Sequence, residues 1–406
     1  MPEEPLWPHQ LLDISALRRS GVRPVPLRQF VLKVHSRCNL ACSYCYVYEG
    51  ADQSWRTRPS RVPTKTMQWA ARRIAEHVRE HRLREIRIEM HGGEPLLSGP
   101  ALLVEYADLV RSAVPAGCTV HVSVQTNGTR LTQRTVAVLA AARIRVGLSL
   151  DGGTAALNRR RTTRSGRPAW PAAARAARLL TRHPEVYAGL LCTVDLTADP
   201  VEVYRSLLSL RPPSVDLLLP HGNWTTPPPG LPAAPETPYG DWLATAFDLW
   251  WHGDSGTGPP VRVRLFNEIV ALLLGSPSAT EAVGLSPMAA VVIDTDGAIE
   301  QVDSLKSAYE GAPETGLDVV FDSLDRALDH PGIAARQLGA AGLGAECRAC
   351  PVVNVCGGGN YVHRYRAGTG FLHPSVYCAD LERLIRHAAT RLRAELPGSA
   401  EVTPVL

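Results

Sequence analysis

Seven of the nine cysteines in this chain fall into two tight groups, Cys38-x3-Cys42-x2-Cys45 and Cys347-x2-Cys350-x5-Cys356-x21-Cys378. Three thiolates within eight residues can wrap three irons of a 4Fe–4S cube and leave the fourth iron open to a small molecule. A structural zinc ion wants four closed ligands instead, and His35 is available as a fourth. The second group, three close cysteines and a distant one, can close a complete cluster or a zinc ribbon. Cys118 and Cys192 stand alone near apolar runs and read as core residues.

Residues of these types need elements to position them. Short apolar runs at 29–35, 85–90, 119–124, 146–150, 189–194 and 215–219 have strand character, and helical periodicity fills 67–81, 102–113, 133–142 and 171–182. Alternation at this spacing predicts repeated βα units and a parallel sheet. The expected fold class is α/β, a partial (β/α)6 TIM-like barrel followed by a cysteine-bearing extension. In such barrels chemistry collects at the C-terminal ends of the strands. Cys38 follows the first run, Gly92-Gly93-Glu94-Pro95 the second, Gln125-Thr126-Asn127-Gly128 the third and Asp151-Gly152 the fourth. Glycines let backbone approach a ligand closely, and a carboxylate there can accept from an ammonium group.

The expected organisation is an N-terminal extension (1–28), the barrel (29–224), a linker with bridging helices (225–285) and a cysteine-bearing domain (286–406). Proline crowds 225–239, helices are expected at 240–251 and 264–274, a hairpin turning at Asp296-Gly297 and a basic helix over 381–393. The net charge of +4 over 406 residues argues against an extended nucleic-acid footprint. No signal-peptide pattern opens the chain and no apolar run is long enough to span a bilayer, so a cytoplasmic protein without a membrane or nucleic-acid partner is expected. Reduced cysteines in that compartment again point to metal.

The run Cys38-Asn39-Leu40-Ala41-Cys42-Ser43-Tyr44-Cys45 resembles the signature of the radical SAM superfamily, including the aromatic Tyr44 before the last cysteine. The resemblance implies that S-adenosylmethionine (SAM) chelates the open iron and, given an electron from an external donor, yields a hydrogen-abstracting 5′-deoxyadenosyl radical. It also implies that Gly92, Gly93 and Glu94 hold the SAM amino group, that Thr126, Asn127 and Asp151 lie near SAM, that Ser149 faces the ribose and that Arg161 meets the carboxylate. Arg161 adjoins Arg159 and Arg160, so a solvated charge run is its plain alternative. Leu157 and Asn158 replace a His-Asp pair common in the family.

The second cysteine group resembles the SPASM/twitch-like extension of peptide-modifying relatives, which usually houses two auxiliary clusters. Asn360 and the cysteine-free hairpin depart from that pattern, so one auxiliary 4Fe–4S cluster is expected. Asp303 matches the position of a proposed proton acceptor, with a turn aspartate as its plain alternative. His221, Asn223, Trp224, His363 and Arg364 are candidates for a peptide groove or for structural roles.

Across the chain, phrases such as Leu11-Leu12-Asp13-Ile14-Ser15, Lys33-Val34-His35-Ser36-Arg37-Cys38 and Ser375-Val376-Tyr377-Cys378-Ala379-Asp380 resemble FxsB-type peptide maturases. That similarity implies an oxidoreductase acting on a ribosomal precursor peptide, with an aromatic-ring-to-Cβ cross-link that closes a three-residue cyclophane. Other SPASM peptide reactions, thioether or formylglycine formation, are the alternative. A zinc-organised binding protein without catalysis is the reading from another class.

Overall fold

The computed structural model describes residues 5–231, 236–253 and 261–395. Residues 1–4 of the expected N-terminal extension, 232–235 of the proline-rich stretch, 254–260 of the bridging region and the tail 396–406 lie outside the described residues.

After a short helix α1 (Ile14–Arg19), six strands alternate with helices: β1 (Gln29–His35), α2 (Thr64–Glu80), β2 (Glu85–Gly92), α3 (Pro100–Ala113), β3 (Thr119–Thr126), α4 (Gln133–Ala141), β4 (Ile144–Ser149), α5 (Trp170–Leu180), β5 (Tyr187–Thr193), α6 (Pro200–Leu208) and β6 (Ser214–Leu218). Neighbours from β1 to β6 pair in parallel and in sequence order, as the alternation predicts. The helices exist because each presents one apolar face. In α2, Met67, Ala70, Ile74 and Val78 are buried, packing beneath Phe30, Leu32, Ile86 and Ile88 of the sheet. Alternation on β2 buries Ile86, Ile88 and Met90 on that side and turns Glu85, Arg87, Glu89 and His91 to the lumen.

The polypeptide continues with α7 (Pro238–His252), β7 (Arg262–Val263), α8 (Arg264–Leu273), β8 (Ala290–Ile293), β9 (Ala298–Glu300), β10 (Glu314–Asp318), the one-turn helices α9 (Leu324–Ala327), α10 (Pro331–Ala335), α11 (Ala345–Arg348) and α12 (Val353–Cys356), and α13 (Cys378–Glu395). The hairpin turns at Asp296-Gly297 as expected, but it does not form a separate sheet. β8 pairs in parallel with β1, Gln29 opposite Ala290, and all ten strands make one sheet in the order β10-β9-β8-β1-β2-β3-β4-β5-β6-β7. The boundary drawn at 286 is therefore not a boundary of the sheet. β7 is a two-residue strand, too short for periodicity to reveal.

Polar clamps tie the C-terminal part to the rest of the chain. Arg58, on the loop before α2, donates to Asp296 and Glu300 at 2.5 Å each and lies 3.3 Å from Asp294. At the far edge, Asp248 on α7 takes Arg391 and His387 of α13 at 2.7 Å each. No helix among the described residues is long and apolar enough to cross a membrane.

Candidate active site

β1 delivers the chain to the first cysteine loop, and β2 ends beside it. Gly93 N–H donates to the His35 carbonyl at 2.8 Å and Glu94 N–H to the Arg37 carbonyl at 3.0 Å. A Cβ on Gly93 would lie 2.3 Å from the Arg37 carbonyl oxygen, so only glycine permits this approach. Burial pushes the Cys38 thiol up to about 12 and the Cys42 thiol up to about 11. Binding a metal centre here would require these thiols to lose their protons, a cost that metal–thiolate bonds offset.

Tetrahedral zinc at about 2.3 Å per sulfur draws its ligands to within about 4 Å of each other. Among the described residues only His77, His81 and Asp325 bring three ligand atoms within 4.8 Å, so neither cysteine group is gathered that tightly. The proposed fourth zinc ligand His35 has its Nδ1 occupied by the Arg37 N–H at 3.0 Å. His77 is no ligand either: its Nε2 accepts from Leu27 N–H at 2.9 Å, which leaves the ring proton on Nδ1, facing Asp325.

The residues expected to surround SAM divide into two sets. Glu94 is fully buried and turned inward, accepting from Leu96 N–H at 3.0 Å, Thr126 Oγ1 at 2.6 Å and Asn127 N–H at 2.8 Å. Its carboxylate braces the ends of β2 and β3 and leaves the backbone of Gly92 and Gly93 facing the cysteine loop. Asn127 reaches that loop directly, with Nδ2 3.7 Å from Cys38 Sγ and 3.0 Å from Asn39 Oδ1.

On the other side, Tyr44 Oη donates to Asp151 Oδ2 at 2.5 Å and accepts from Arg161 Nη1 at 2.7 Å. Arg161 is buried, whereas Arg159 and Arg160 lie outside on Asp195. Its separation from the charge run is thus spatial. Asn158 completes this corner by accepting from Asp151 N–H at 2.9 Å. Ser149 Oγ accepts from Gln125 Nε2 at 2.7 Å.

Asp303 follows β9 and sits against the lumen. Its Oδ2 is 2.6 Å from Lys33 Nζ and 3.5 Å from His91 Nδ1, while Oδ1 is buried without a partner. Burial opposes ionisation, but Lys33, His91 and Lys306 together outweigh it and hold this carboxyl below its ordinary value. Burial and Lys33 together push His91 down to about 4. Next door, the Tyr46 ring meets His221 edge-on at 4.7 Å, and His221 Nδ1 lies 3.3 Å from His363 Nε2. Asn223 is structural, its amide capping Thr225 and Thr226 N–H and donating to Ser307.

Cys347, Cys350, Cys356 and Cys378 come together around one cavity of about 240 Å³. That room can take a polynuclear cluster. Cys378 opens α13, so the helix begins three residues earlier than its periodicity suggests. Cys118 and Cys192 are core residues, as expected.

Residues 32–202 match the family model described as the radical SAM superfamily. The segment that holds the first cysteine loop is thus a radical SAM domain. The serine-type anaerobic sulfatase-maturating enzyme of Klebsiella aerogenes is 26% identical over 382 residues, covering 90% of this chain and 89% of the relative. A cysteine-type counterpart from Clostridium perfringens is 22% identical over 90% of this chain and 97% of its own. A solved structure described as native anSMEcpe with bound AdoMet and Kp18Cys peptide superposes with a TM-score of 0.75 at 20% identity, covering 90% of this chain and 98% of that one. The fold is thereby that of a radical SAM barrel.

Such a domain takes a SAM-binding 4Fe–4S cluster and SAM, and the first cysteine loop fits them by its three thiols and the glycine approach. Sequence reasoning missed Lys33 and His91 as partners of Asp303. A signal existed: only three lysines stand among forty arginines, and two of them, Lys33 and Lys306, are buried.

Proposed function

We propose that this chain removes a hydrogen atom from the β-carbon of a residue in a ribosomally made peptide and directs the resulting radical to lose one electron and one proton. The observation that carries this is Asp303, a buried carboxylate kept ionised by Lys33, with one oxygen free, beside the cysteine loop. The cluster and SAM, bound at Cys38, Cys42 and Cys45, supply the hydrogen-abstracting radical, and an auxiliary cluster at Cys347, Cys350, Cys356 and Cys378 supplies an electron acceptor. Lys33 and His91 occupy Oδ2 of Asp303, so the proton goes to Oδ1. Tyr44, Asp151 and Arg161 orient SAM on one side, and the Gly92-Gly93 backbone does so on the other.

Two end products obey this bookkeeping. Conversion of a serine to formylglycine, with the hydroxyl proton passing to Asp303, is favoured by the sulfatase-maturating relatives matched along nine-tenths of the chain. The aromatic-ring-to-Cβ cross-link, in which the proton comes from the ring, is favoured by the FxsB-type phrases. Both remove two hydrogen atoms. Anaerobic co-expression with the small open reading frame beside the gene, followed by mass spectrometry, should show that loss. A hydrazide adduct identifies the aldehyde, and a fragmentation-resistant three-residue ring identifies the cross-link. Asp303→Asn should still cleave SAM while product formation falls about 100-fold or more. A normal product rate in that variant places the base elsewhere.

A further inference from the structure

A cavity of about 490 Å³ lies away from the first cysteine group, between the N-terminal ends of β1 and β2, the segment 278–290 and the stretch from Ala335 to Arg364, and reaches Gly357 beside Cys356. Five arginines and two glutamates line it. Of those glutamates, Glu281 is spent on Arg336, whose Nε donates to it at 2.6 Å. The Arg364 guanidinium is fixed by the carbonyls of Gly357, Gly358 and Gly359 and also lies within electrostatic reach of Cys347, Cys356 and Glu281. Tyr361 stands between Arg336 and Arg364, with the two cations 5.8 and 5.6 Å from its ring. It is 4% exposed, and its hydroxyl has no hydrogen-bond partner. A buried donor left idle in a positively charged hollow is matched by an anionic acceptor.

The hollow also leads toward the chemistry. It shares Arg264 and Thr280 with a smaller space of about 70 Å³ that runs along β6 to His221 and His363. The His221 ring in turn abuts Tyr46, the neighbour of Asp303. An extended peptide occupying both spaces would have one end at the arginines and the other at His221 and His363.

We propose that this cavity binds a carboxylate of the substrate peptide, with the Tyr361 hydroxyl and the surrounding guanidinium groups as its donors. The inference rests on the peptide reading above and adds the part of the substrate that is recognised. Its probes are two N-acetylated random hexapeptide libraries, one ending in free carboxylates and one in amides, passed anaerobically over the immobilised, cluster-reconstituted enzyme. Retained peptides are sequenced by mass spectrometry.

Carboxylate-bearing peptides should be enriched about tenfold over amidated peptides lacking Asp and Glu, the discrimination expected for one hydrogen bond to a charged group. Enrichment that follows the chain end alone identifies a peptide C-terminus. Enrichment of Asp or Glu within the amide library identifies an acidic side chain. Tyr361→Phe should bring the ratio close to one. Arg87→Gln, an exposed residue at the rim, should lower it as well and serves if the tyrosine variant loses cluster absorbance. Equal retention of both libraries, without enrichment of acids, overturns this inference and leaves the peptide reading standing. Retention of neither library overturns both.

Discussion

Lys33, His91 and Asp303 come from three different strand ends, and their meeting makes an ionised carboxylate possible in a buried site. Glu89, two residues before His91 on the same lumen face, has the opposite environment. It is bonded only to the Ser123 hydroxyl, with Arg264 a weaker influence, and burial pushes its carboxyl up to about 7. The folded chain keeps that proton up to neutral pH, whereas the unfolded chain releases it near the ordinary glutamate value. Between those limits the folded state binds more protons, so its stability falls as pH rises. Glu89→Gln removes the titration while keeping the polar contact. Thermal unfolding from about pH 5 to 7 should therefore decline more steeply in the wild type than in the variant. Parallel curves would show that Glu89 titrates as an ordinary carboxylate.

Loops at the C-terminal ends of β1, β2 and β3 work as one piece. Gly93 touches the cysteine loop at Arg37, Glu94 ties β2 to β3, and Asn127 returns to Cys38. The regular strands fix the spacing of these loops, and the carboxylate of Glu94 fixes their direction. Gly93→Ala forces a methyl group against backbone that cannot yield without moving the cysteines. A cost of about 1–3 kcal/mol in unfolding free energy is expected, together with loss of bound iron in the first cluster. Iron analysis on the variant, with reductive SAM cleavage as the second readout, checks this. Full iron and full cleavage would mean that the loop tolerates the shift.

At the scale of the molecule, the extension is held by shared sheet and by charge. β8 continues the barrel sheet across β1, and Arg58 gathers Asp294, Asp296 and Glu300 where the hairpin meets the cysteine-loop side. Asp303 lies directly beyond Glu300, so this clamp also sets the position of the base. Arg58→Met leaves buried carboxylates without their cation, at a cost of about 3–5 kcal/mol. Chemical denaturation should show that loss, and product formation should fall more than SAM cleavage does. A variant as stable as the wild type would assign the clamp to the lumenal Lys306, which reaches Asp52 at 3.0 Å.

The βα alternation, the hairpin at Asp296-Gly297 and both cysteine groups were legible in the chain because each is local. Periodicity and ligand spacing operate over a few residues, and the six barrel strands fall within two or three residues of their apolar runs. Contacts between distant segments left no such trace. Glu94 carries the residue type of a ligand and is also a brace, because Thr126 and Asn127 arrive from another strand to bond it. Arg161 parts from Arg159 and Arg160 only because the turn after β4 carries it onto Tyr44 and Asp151. Lys33 reaches Asp303 across 270 residues of sequence because β8 and β9 lie beside β1. The amino-acid sequence alone determined which cofactor chemistry the chain can hold. Only the tertiary structure decided which carboxylate stays ionised next to it, because that depends on what burial removes and on which cation the fold brings within reach.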